Sequence, residues 1–246
     1  MGPRVIIVHY VAKTGETAGI TPVACKVLEA AEPVPPSAVW LDMVEPTVRE
    51  DQKVELFLGC KVPSRADPDF AEPPESYYAE NGVRYLHGSF VSEPEDTPDV
   101  TGVTFVLTPT TLVTVRYDPG DAFELYGQKL CKSGAQALHP DAVAVGLINT
   151  IVNRSARALD KVGVELDSIA STVFRAKGDQ GSRSQIYSAT LDALGREDEK
   201  ISNLRESLVS IERLLLFLLS EGRSILMESA KIRQHTGSPG IPPLSA

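Results

Sequence analysis

Apolar residues follow two rhythms along this chain, and the rhythm changes near its middle. The first half carries short β-branched runs. Arg4–Tyr10 (RVIIVHY) predicts a strand, and Val39–Met43 (VWLDM) a second, shorter one. Pro46-Thr47 opens a helix that runs through Leu58 and ends at Gly59, with Val54, Phe57 and Leu58 on one apolar face. Residues 63–76 contain four prolines and no period, which predicts a loop with extended pieces. Ser76–Ala79 and Val83–Val91 flank Glu80-Asn81-Gly82, and Asn-Gly suits the positive-φ positions of a tight hairpin turn. Gly102–Leu107 and Leu112–Arg116 predict a second hairpin around Thr108–Thr111, followed by a helix over Asp121–Lys132.

From His139-Pro140 to Lys177 the spacing is helical. Ile148, Val152, Leu159, Val162, Leu166, Ile169 and Val173 recur at intervals of three and four, with Ser155 the one polar seam position. Gly178 and Gly181 mark a turn. A second long helix is predicted over Ser184–Gln234, where Leu194, Ile201, Leu204, Leu208, Ile211, Leu215 and Leu218 repeat the spacing. Two such helices joined by a short turn predict an antiparallel hairpin. The run Leu214–Leu219 (LLLFLL) is greasier than a two-helix seam needs, so a further apolar surface is expected over it. The expected organisation is a sheet domain over 1–139, the hairpin over 140–234 packed on it as one unit, and a Pro/Gly-rich linker over 235–246.

Charge narrows the function. The net charge is −9; residues 1–139 carry 11 Lys/Arg and 20 Asp/Glu, whereas residues 140–246 carry 13 of each. Nine acidic residues against one Arg fall between Asp67 and Asp99. Phosphate binding needs a basic face, so nucleic acid is excluded as a partner. Hard divalent cations want several carboxylate or carbonyl oxygens, and Asp67 and Asp69, two residues apart, are the candidate metal ligands. Cys25, Cys60 and Cys131 are scattered and odd in number, which suggests a reducing compartment. His9, His87, His139 and His235 stand far apart, none with a Cys or second His at metal-ligand spacing, and read as surface or strand-end residues. No phosphate loop, HExxH or GxSxG is present, so no enzyme and no cofactor are expected. The six-residue apolar run is far below the about 20 residues that a spanning helix requires.

Five segments stand in a familiar order: Val39–Gly59, with Trp40, Asp42, Pro46, Thr47 and Glu50; Val62–Arg65 (VPSR); Tyr77–Leu86 (YYAENGVRYL); Val103–Tyr117 (VTFVLTPTTLVTVRY); and Leu204–Leu218 (LRESLVSIERLLLFL). In residues and order they resemble segments of the cytosolic domain of CorA-type divalent metal-ion transporters. The resemblance implies an α/β (α+β) fold: a layered α/β/α domain with a largely antiparallel mixed sheet, followed by the helical hairpin. It implies an ion-sensing domain on the cytoplasmic face of a bacterial inner membrane, part of a homopentamer. The pore, its Gly-Met-Asn signature and the stalk would lie beyond residue 246; without them a monomer or dimer is expected. Asp67 corresponds to a carboxylate that, in some members, faces a regulatory cation. The ion implied is Mg²⁺, with Zn²⁺, Co²⁺ and Ni²⁺ also in the family's range. A ZntB-like zinc transporter domain and a stand-alone helical scaffold are the alternatives.

Overall fold

The computed structural model describes residues 5–12, 22–65, 76–92, 99–118, 120–133, 139–175 and 183–236, without the side chains of 133, 175, 183, 184 and 222–236. Seven strands form one sheet: β1 (Val5–Val11), β2 (Val23–Val27), β3 (Ala38–Val44), β4 (Tyr77–Glu80), β5 (Val83–Ser92), β6 (Asp99–Leu107) and β7 (Leu112–Arg116). Their spatial order is β2-β1-β3-β7-β6-β5-β4. Among the described residues, only β3 and β7 pair in parallel. The helices are α1 (Val48–Leu58), α2 (Asp121–Ser133), α3 (Pro140–Arg175) and α4 (Arg183–Thr236).

The sheet is covered on both faces, as the layered α/β/α expectation required. Ile6, Val8, Leu41, Met43, Val54, Val106, Val113 and Val115 pack between it and α1. Trp40, Leu86, Phe105, Leu107, Leu147, Ile211 and Leu214 pack beneath α2, α3 and α4. β3 lies mid-sheet between these layers and is buried at all seven positions. That explains why VWLDM lacks the alternation of a half-solvated strand.

Local chemistry sets several boundaries. Thr47 caps α1: its side chain accepts from the Glu50 amide while the Glu50 carboxylate accepts from the Thr47 amide. Gly59 closes the helix in the left-handed region, at φ 71°. Asn81 and Gly82 both have positive φ, and Glu80 pairs directly with Val83, which makes the turn a two-residue one. The strand β2 has no counterpart among the strands predicted from sequence. VACKV is a short edge segment whose exposed positions include Cys25 and Val27, so its apolar signal is weak.

α3 and α4 form the predicted extended pair, 36 and 54 residues long, but the buried face differs from the predicted seam. Ile148, Val162, Leu204 and Ile211 are buried as expected. Leu159, Leu194, Ile201 and Leu208 are instead exposed. The reason is that each helix also packs on the sheet, which turns Val143, Ala144, Leu147 and Ile151 of α3 and Ser207 and Leu214 of α4 inward. In the LLLFLL run, Leu214 is buried and Leu215, Phe217 and Leu218 pack against the core, whereas Leu216 and Leu219 face outward.

Candidate functional site

Two clusters of chemically capable side chains sit on the face of the sheet that α2, α3 and α4 cover. The first joins the parallel strands β3 and β7. Asp42 and Thr114 are register partners, so their side chains meet on one face. The Trp40 indole N–H donates to Thr114 Oγ1 at 2.9 Å, and that hydroxyl donates to Asp42 Oδ1 at 2.8 Å. Arg116 closes the network with a two-pronged contact, Nε to Oδ1 at 3.0 Å and Nη2 to Oδ2 at 2.8 Å. Its Nη1 donates to the Asp118 carbonyl at 2.6 Å, and the guanidinium lies 4.7 Å from the centre of the Phe123 ring on α2. Asp42 and Arg116 are 2% and 3% exposed, so the pair is desolvated, and only its completeness makes that burial tolerable. Trp40, Asp42, Thr114 and Arg116 all belong to segments that carry the family resemblance. The chemistry here is structural: every strong donor and acceptor is engaged by a neighbour.

The second cluster joins β1, β2 and α2. Cys25 of β2 and Trp40 of β3 are the register partners of His9 on β1, which places all three on one face. The His9 ring stacks on Trp40 with centroids 4.3 Å apart and planes 14° from parallel. Cys131, near the end of α2, comes down from above. One ligand atom each from His9, Cys25 and Cys131 lies within 4.8 Å of the other two. His9 is 3% exposed, and its Nδ1 has no hydrogen-bond partner among the described residues. Burial pushes the imidazole down from its ordinary 6.5 to about 4, against the pull of the Asp42 carboxylate and the Trp40 backbone. Burial pushes the Cys131 thiol up to about 12, and the adjacent Cys25 thiol pushes in the same direction. Close approach of the helix depends on Gly127: a Cβ there would stand 2.7 Å from His9 Nε2.

The predicted ligands Asp67 and Asp69 lie outside the described residues. His9, expected at a surface or strand end, is instead a buried mid-strand residue. Cys25 and Cys131, which looked scattered, are neighbours. Sequence spacing could not reveal this, because 106 positions separate the two cysteines and the strand that carries one of them was not legible. The other histidines do other things. His87 Nδ1 bonds the Thr104 hydroxyl at 2.9 Å, and His139 is exposed beside Asp141. On the far edge of the sheet, Tyr77, His87, Ser89, Arg205, Ser210 and Arg213 line an open, shallow groove of about 510 Å³ between the sheet and α4.

Comparison with known proteins gives a consistent picture. The family model described as "CorA-like Mg2+ transporter protein" matches residues 37–234. The chain is 24% identical over 213 residues to the magnesium transport protein CorA of Haemophilus influenzae Rd, covering 82% of this chain and 66% of that protein. It thus spans just under two thirds of that relative's length. Among solved structures, full-length CmaX aligns over 96% of this chain and 83% of its own, with 15% identity and a TM-score of 0.50, a likeness of fold. The soluble domain of CorA from Methanocaldococcus jannaschii aligns over 84% of this chain and 72% of its own, with 16% identity and a TM-score of 0.49.

Proposed function

The chain belongs to the CorA-like Mg²⁺ transporter family, and from that premise we propose that it is the cytosolic, ion-responsive body of a divalent-cation transporter rather than an enzyme. The match over residues 37–234 carries this reading, because it includes both the central strands and the helix pair. In this reading residues 1–139 act as the sheet unit and 140–234 as the hairpin that rides on it. Among the described residues no helix is long and apolar enough to cross a membrane.

The mechanism is electrostatic. Excess negative charge is concentrated in the sheet half, with nine acidic residues against one Arg between Asp67 and Asp99. In a homopentamer, Mg²⁺ bridging carboxylates such as Asp67 and Asp69 to a neighbouring subunit would hold like charges together and favour a closed, symmetric state. Loss of the ion lets repulsion loosen the assembly. A ligand shifts such an equilibrium only through different affinities for the two states, and bridging supplies that difference. α4, at about 1.5 Å per residue, is a lever on the order of 80 Å long. The outward row of Leu191, Leu194, Ile201 and Leu208, all exposed along one stripe of α4, supports self-association.

The test is thermal melting of the full-length protein against Mg²⁺. The reading predicts a rise in melting temperature at millimolar ion that Asp67→Asn/Asp69→Asn reduces. Absence of any Mg²⁺-dependent stabilisation removes the sensing role.

A further inference from the structure

The sheet half holds a second metal chemistry that an acidic, Mg²⁺-type reading does not use. Its parts are a buried imidazole and two thiols from three separate elements, with ligand atoms within 4.8 Å of one another. Two sulfurs and one nitrogen are a poor set for Mg²⁺, which takes oxygen ligands and keeps its waters. They suit zinc and its borderline-soft neighbours. Three protein ligands leave a fourth tetrahedral position, and Cys25, on the edge strand β2, is exposed to the solvent that would fill it.

The surroundings are organised as a site and not as an ordinary core contact. The His9 ring is fixed by its stack on Trp40, and Trp40 is itself held by the bond from its indole N–H to Thr114. His9 Nδ1 is buried with no hydrogen-bond partner among the described residues, a condition that costs stability unless something accepts the lone pair or the proton. Gly127, one turn before Cys131, removes the side chain that would collide with the imidazole edge, which lets α2 carry Cys131 down to the ring. A tetrahedral zinc with sulfurs at about 2.3 Å and nitrogen at about 2.0 Å sets its donors roughly 3.3–3.8 Å apart. Contraction from 4.8 Å needs side-chain movements of about an ångström, and an exposed cysteine on an edge strand can make them. Cys60 is not part of this cluster: it packs on the opposite face of the sheet, beside α1.

We propose that His9, Cys25 and Cys131 form a thiolate–imidazole site for a zinc-class divalent cation, which ties the edge strand β2 and the helix α2 to β1. The site is independent of the carboxylates invoked above for Mg²⁺. It gives the sheet half a second ion to respond to, chosen by sulfur and nitrogen rather than by charge.

The experiment is cobalt substitution, with Co²⁺ added to the purified protein under a non-thiol reductant. One equivalent per chain is expected to produce the thiolate-to-cobalt charge-transfer absorption and the visible bands of tetrahedral Co²⁺. Equimolar Zn²⁺ should bleach them, and millimolar Mg²⁺ should leave them unchanged. Cys25→Ser and Cys131→Ser should each abolish the charge-transfer band or weaken it severely. His9→Gln should lower affinity roughly 10- to 100-fold, and Cys60→Ser should bind as the parent does. Cys25 is exposed, so its serine variant folds, and a parent melting temperature for it confirms that the loss is of ligand. The proposal is overturned if no charge-transfer band appears in the reduced protein, if the band survives both cysteine substitutions, or if Cys60→Ser removes it.

Discussion

Replacing Arg116 by Met leaves the Asp42 carboxylate buried without its charged partner. Both groups are almost wholly desolvated, so little solvent screening softens the loss. Three contacts run from Arg116 to Asp42, at 2.8, 3.0 and 3.2 Å, and a fourth bond reaches the Asp118 carbonyl. Removing one member of such a pair costs about 3–5 kcal/mol, whereas replacing both with apolar residues of similar volume is often close to neutral. For a chain of this size, each kcal/mol lowers the melting temperature by about 2–4 °C, so Arg116→Met should lower it by roughly 6–20 °C. Asp42→Leu/Arg116→Met should recover most of that loss. The assay is a double-mutant cycle in urea, with the midpoint and slope recorded for all four proteins. A single substitution costing under about 1 kcal/mol, or a double variant whose cost is the sum of the singles, would refute a buried, mutually dependent pair.

Three smaller predictions follow from named contacts. Thr47→Ala removes one half of the capping box on α1 and should cost about 1 kcal/mol in urea unfolding, whereas Thr47→Ser should cost much less. Gly127→Ala puts a Cβ against the stacked His9 ring and should destabilise by about 1–3 kcal/mol; His9→Ala should relieve that clash in the double variant. In chelator-treated protein, His9 makes stability depend on pH. Its folded pKa of about 4 lies below the unfolded 6.5, so between those values the unfolded chain takes up a proton that the folded chain refuses. Stability should therefore be greatest above pH 6.5, fall as pH drops toward 4, and lose about 3 kcal/mol in all. His9→Phe should flatten that slope, and an unchanged slope would contradict the assignment.

What the sequence could reveal follows from where each signal lives. The helices α3 and α4 were legible because their apolar spacing is local and long. The turn at Asn81-Gly82 and the Thr47 cap were legible because each is written in two to four adjacent residues. The exact buried face of the helices was not, since period alone does not say whether a stripe meets another helix or the sheet. Leu194 and Ile201 are the clearest cases: they share the spacing of the buried Leu204 and Ile211, yet lie toward solvent. The Asp42–Arg116 pair spans 74 positions and depends on a parallel pairing of β3 with β7 that no local pattern encodes. The His9–Cys25–Cys131 cluster needed β2, a five-residue edge strand with exposed positions, to be known first.

Ion flux tests the central claim most directly. The full-length gene product, purified and placed in liposomes, should admit Mg²⁺ down its gradient, reported by a trapped fluorescent indicator. Uptake should slow as Mg²⁺ rises on the side that bears this domain, and the Asp67→Asn/Asp69→Asn protein should lose that slowing while still conducting. A protein that passes no divalent cation, or whose flux ignores Mg²⁺ on the domain's side, would contradict the account.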